Sequence, residues 1–127
     1  MKARVIRPDA AGEYMTEERC AILELSNSGD DEALSIARAR VAPGVTTAWH
    51  SVAGTAERYV ILEGLGRVEV AGVEATAVGP GDVVLIPPDA PQRIANAGDT
   101  DLVFYALCTP RFRPHNYRDL ETADSTD

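Results

Sequence analysis

The stretch GVTTAWHSVAGTAERYVILEG, residues 44–64, alternates polar and apolar side chains between glycines at 44, 54 and 64. Alternation with a period of two marks strands that bury one face. Gly44 and Gly64 suit tight turns with positive φ, which only glycine adopts without cost. Side chains two apart on a strand point the same way, so Ala48, His50 and Val52 share one face. Glu57, Tyr59 and Ile61 share a face of the following strand, and Arg58, Val60 and Leu62 share its reverse.

The same alternation runs through most of the chain. ARVIR (3–7), CAILEL (20–25), LSIARARVA (34–42), ERYVILEG (57–64), GRVEVAG (66–72), DVVLIPP (82–88), QRIANAG (92–98) and DLVFYALCT (101–109) each read as a strand. NSGDD, APG, EGLG, VGPGD and NAGDTD supply turn chemistry between them. No segment holds a helical period, although AAGEYMTEER (10–19) has room for one short helical turn. Many short strands at even spacing predict an all-β fold, a small sandwich or closed barrel. The 127 residues suffice for one domain, assigned to 1–118, with DLETADSTD (119–127) as an acidic tail.

Composition narrows the partners. Twenty acidic against twelve basic side chains leave a net charge of −8, which repels phosphate backbones and disfavours nucleic acid. No long apolar run or export signal is present, so a cytoplasmic protein without a membrane partner is expected. Cys20 and Cys108 form no CxxC pair and read as buried or free thiols in a reducing compartment. No phosphate loop or Ser/His/Asp order supports nucleotide or triad chemistry.

A second segment, GDVVLIPPDAPQRIAN (81–96), completes the pattern. Read with the first, it gives Gly44-x5-His50-x-Val52-x4-Glu57-x6-Gly64 and Gly81-x5-Pro87-x-Asp89-x2-Gln92-x3-Asn96. The pair resembles the two signature motifs of the cupin superfamily. Gly44, His50, Glu57, Gly64, Gly81, Pro87 and Asn96 fall on the family's positions. Val52 and Gln92 stand where the family carries histidines, and Asp89 where it carries a glycine. The resemblance implies a single-domain cupin jelly-roll β-barrel. It also implies a divalent metal, usually iron, manganese, nickel, copper or zinc, bound by side chains from neighbouring strands. Small cupins often pair by exchanging an N-terminal strand, so the resemblance implies a homodimer in which ARVIR covers an edge.

The metal set that corresponds here is His50, Glu57 and Gln92. Valine offers no ligand atom, and a glutamine oxygen holds a transition metal less firmly than imidazole. His50 and Glu57 would equally form a hydrogen-bonded pair with no metal. Two readings stay open. One is an enzyme of dioxygenase, isomerase or lyase type acting on a small organic molecule, with His50 and Glu57 as ligands or as an acid/base pair. The other is a non-catalytic cupin that binds a small ligand beside a decayed metal site. In both, Val52, Tyr59, Gln92 and Ile94 are expected to line the pocket. His115 is expected at the surface and Cys108 in the core. Arg38 and Arg40 read as ion-paired, or as one anion contact, while Arg58 and Arg93 face away from Glu57 and Gln92.

Overall fold

Residues 1–121 are described by the structure, a computed structural model. Its strands are β1 (Tyr14–Met15), β2 (Ala21–Ser26), β3 (Ser35–Val41), β4 (His50–Val52), β5 (Ala56–Glu63), β6 (Gly66–Val70), β7 (Val73–Val78), β8 (Val83–Ile86), β9 (Gln92–Asn96), β10 (Leu102–Thr109) and β11 (Tyr117–Asp119). They form two antiparallel sheets, ordered β1-β2-β3-β10-β5-β8 and β11-β4-β9-β6-β7. The sheets face each other across Val41, Ile61, Val68, Ile94, Leu102 and Phe104, all buried. This is the all-β jelly roll that the motifs imply.

Local chemistry explains the turns. Gly44, Gly64 and Gly81 take φ of +78°, +83° and +90°. Pro87 and Pro88 end β8 at Ile86, because proline has no N–H for the ladder. Asp89, the departure from the glycine pattern, has φ +68°, and its carboxylate accepts the Gly54 N–H at 2.9 Å. Aspartate is among the few side chains that tolerate this region, so the turn survives the substitution. Asn96 is buried and satisfied: its Nδ2 donates to the carbonyls of Val41 and Thr100, and its Oδ1 accepts from Gly98 N–H.

Three sequence expectations change. ARVIR is not a strand of either sheet; it is exposed and unpaired, and Arg4 instead meets Asp30 at 2.7 Å. Alternation alone cannot form a strand without a neighbouring ladder to complete. VEATAV, absent from the sequence reading, forms edge strand β7; its mostly exposed residues carry only a weak apolar signal. The segment 10–19 holds a single 3-10 turn at Ala10–Gly12, as allowed, but continues into β1. At the other end the acidic tail begins inside β11, and Leu120 N–H donates to Trp49 O at 3.0 Å. The rest of that tail, 122–127, lies outside the described residues.

Candidate functional site

Arg38 and Arg40 point outward from β3, so alternation sends Ser35, Ala37 and Ala39 to its inner face. In register beside them, β10 presents Cys108, Ala106 and Phe104, and β5 presents Glu57, Tyr59 and Ile61. Small side chains on β3 and β10 cannot fill the space between the sheets. A cavity of about 470 Å³ results, within the size range of small-molecule sites. The β1–β2 hairpin adds Met15, Glu18 and Cys20 to its wall, and the chain after β10 adds Phe112 and Tyr117.

The loop of the hairpin is tied down by Arg19 and by the Ala48 N–H, which donates to the Glu18 carbonyl at 3.0 Å. Arg19, at φ +71°, donates from both Nη atoms to Glu121, at 3.1 and 2.8 Å, and from Nε to the Thr46 carbonyl. Glu121 also accepts the Trp49 N–H at 2.8 Å. The Arg19 hydrogen bonds hold the Glu121 carboxyl below the usual carboxylate range. Glu18 and Cys20 flank this clamp and are positioned by it.

His50 borders the cavity and is 4% exposed. Its Nδ1 lies 2.7 Å from the Ala48 carbonyl. A carbonyl can only accept, so Nδ1 carries the hydrogen and Nε2 is left as the variable atom. Nε2 is 3.7 Å from Glu18 Oε2, beyond a hydrogen bond. Tyr117 stacks on the ring at 5.1 Å between centroids, which fixes the imidazole plane. A neutral His50 thus presents a lone pair at Nε2; a protonated one presents an N–H toward Glu18.

The expected His50–Glu57 hydrogen bond is not formed. Glu57 Oε1 instead accepts from Gln92 Nε2 at 2.6 Å, and the Cys108 thiol lies against the same carboxyl. Gln92 Oε1 accepts from the Tyr59 hydroxyl. The carboxamide is therefore a bridge, turned to two partners and away from His50. Burial raises the Glu57 pKa above the ordinary carboxylate value, opposed by the nearby His50 and by the Gln92 donor. Burial likewise pushes Tyr59 and both thiols up, so Cys20 and Cys108 stay protonated and inert as nucleophiles.

Among the described residues no three His, Cys, Asp or Glu side chains are grouped to hold a metal ion. Val52 has no donor atom, and Gln92 is committed to Tyr59 and Glu57. The residues present do not fit the metal centre that the motif resemblance implies.

Of the residues expected at the pocket, His50, Glu57 and Tyr59 border the cavity; Val52, Gln92 and Ile94 do not. Val52 is covered by Tyr117 of β11 in direct register, and Ile94 is fully buried where large side chains of both sheets meet. Gln92 lies behind Glu57 and Tyr59. His115 is exposed, in a 3-10 turn, while Tyr117 two residues on reaches His50. Arg40 pairs with Glu13 and Asp101, and Arg38 lies 3.7 Å from Glu13. Arg58 donates to Thr109, and Arg93 meets Glu69 over the Trp49 ring. None of these arginines borders the cavity. Glu18 and Tyr117 escaped the sequence reading because both sit outside the two motifs. The small inward residues of β3 were legible from its outward arginines.

Two facing antiparallel sheets with a cavity at one end define a jelly-roll barrel protein with an internal pocket. The chain belongs to the cupin family: residues 37–110 match the cupin domain. It is 32% identical over 110 residues to the uncharacterized protein MJ1618 of Methanocaldococcus jannaschii, covering 85% of each chain. It resembles the structure of a predicted oxalate decarboxylase from Thermotoga maritima, with 25% identity and a TM-score of 0.73, over 84% of this chain and 99% of that one. A cupin 2 conserved barrel domain protein from Salinispora arenicola matches at 22% identity and a TM-score of 0.69, over 98% and 96%. Among the described residues no helix is long and apolar enough to cross a membrane.

Proposed function

We propose that this cupin binds a small organic molecule in the β3–β10 cavity without a metal at the position where the motif resemblance implies one. The observation that carries this reading is the Gln92 bridge: the carboxamide at a ligand position is spent on Tyr59 and Glu57. Among the polar groups at the cavity are His50 with Glu18 beside it, above an apolar wall of Ala37, Ala39, Phe104 and Ala106. The Nε2 atom facing the cavity supports a second reading, in which His50 moves a proton on the bound molecule. The two free thiols favour a reducing, cytoplasmic setting, and the acidic surface disfavours nucleic acid.

Elemental analysis of protein purified without a histidine tag tests the metal-free reading. Metal is expected far below one atom per chain, and unchanged in His50→Ala. The Val52→His/Gln92→His double variant is expected to bring metal content close to one per chain, because both imidazoles would then join His50 and Glu57. Stoichiometric metal in the wild type that disappears in His50→Ala would overturn the reading.

We further propose a homodimer through the sheet edge at β8. This outermost strand has one unpaired side and exposes Val83 at 57% and Leu85 at 71%. Analytical ultracentrifugation at micromolar concentration is expected to give a dimer mass, and Leu85→Lys a monomer. A wild-type monomer would remove the proposal.

A further inference from the structure

The charge and donor pattern of the cavity wall point to a class of ligand. Glu17, Glu18, Glu24 and Glu57 border the cavity, and among the described residues no lysine or arginine does. Arg38 and Arg40 lie on the reverse face of the same strand and are paired there with Glu13. His50 is 4% exposed and borders the cavity, and its Nε2 lies 3.7 Å from Glu18 Oε2, beyond a hydrogen bond. With Nδ1 committed to the Ala48 carbonyl, Nε2 of the neutral ring can only accept. The Glu18 carboxylate accepts as well, already taking the Cys20 thiol at 3.1 Å on one oxygen. The Tyr59 hydroxyl, the obvious alternative donor, is consumed by Gln92. The charged lining of the cavity is thus all carboxyl, with the hydroxyls of Tyr14 and Tyr117 as neutral groups beside it.

We infer that the cavity selects a neutral or cationic molecule whose hydrogen-bond donors meet His50 and Glu18, and whose apolar body lies against Ala37, Ala106 and Phe104. This rests on the reading of the cavity as a small-molecule site. A carboxylate ligand would enter a space lined by glutamates with no compensating cation, where its charge is desolvated and repelled. Burial pushes Glu24 and Glu57 up, which lessens the negative charge of the wall but adds no positive charge. An ammonium or hydroxyl at the same place satisfies the acceptors that burial leaves open. A decarboxylase substrate such as oxalate, a small dianion with no donor, is the opposite of what this wall recognises.

The test uses probes that share one carbon skeleton and differ in the polar end: 2-phenylethylamine, 2-phenylethanol and phenylacetate, with oxalate as a fourth. Each is titrated into the full chain at 0.3 M NaCl, to screen the net charge of the protein, and followed by the NMR shifts of the Ala37 and Ala106 methyl groups. The amine and the alcohol are expected to shift both methyls in a saturable way, and phenylacetate and oxalate to leave them unmoved. In Glu18→Gln the amine is expected to weaken about tenfold, as the loss of a charge-assisted hydrogen bond implies, and the alcohol much less. Glu24→Gln serves as a second variant should the first fail to fold, with the same ordering but a smaller loss. Saturable binding of phenylacetate as tight as the amine would overturn the ligand class while leaving the cavity as a binding site. Failure of all four probes to move the two methyls would overturn the binding reading itself, and the inference with it.

Discussion

Gly64→Ala is expected to destabilise the fold by about 3 kcal/mol or more, combining left-handed strain with a backbone clash. At φ +83° an added Cβ would lie 2.5 Å from the Asp101 carbonyl oxygen and 2.9 Å from Leu102 Cα. Both contacts are backbone, so no side chain can swing aside. Gly44→Ala is the control. It carries the same strain at φ +78° but meets nothing within 4 Å, and should cost only about 1 kcal/mol. Urea denaturation of the two variants would show the difference in midpoint. Equal losses would mean that the β5–β10 approach at Gly64 leaves room for a methyl group.

Gln92→Leu is expected to cost about as much, by a different route. It strips the buried Tyr59 hydroxyl and the buried Glu57 carboxyl of their shared partner at once, at about 1–3 kcal/mol each. The pH dependence identifies the mechanism. Burial holds the folded pKa of Glu57 above its unfolded value. Its favourable contribution is therefore complete below the unfolded pKa and is lost as pH rises through the folded one. Removing the Gln92 donor raises the folded pKa further, so the deficit of Gln92→Leu should widen as pH climbs from 4 to 7. In a Glu57→Gln background the widening should vanish, and adding Tyr59→Phe should recover part of the loss. A deficit independent of pH would place the cost in packing alone.

The glutamine at 92 separates what was readable in the chain from what was not. Its strand and the face it shares with Ile94 and Asn96 followed from alternation, because a period of two assigns faces without any knowledge of neighbours, and its place beside the glutamate position was what the motif resemblance implied. Its role did not. A side chain on the facing sheet, Tyr59, takes the oxygen that a metal would need. That contact depends on the separation and twist of the sheets.

The same division runs through the molecule. Local stereochemistry settled most of the strands, the glycine and proline turns and the shared faces of β5 and β9, since each depends on residues close in the chain, and the motif resemblance gave the family. The tertiary structure alone decided that residues 3–7 stay outside both sheets. It also decided that Tyr117 stacks on His50, that the β1–β2 hairpin brings Glu18 to the cavity, and that the space beside β3 and β10 stays open to a guest. Those outcomes depend on contacts between residues as many as 102 positions apart, and only the folded chain brings them together.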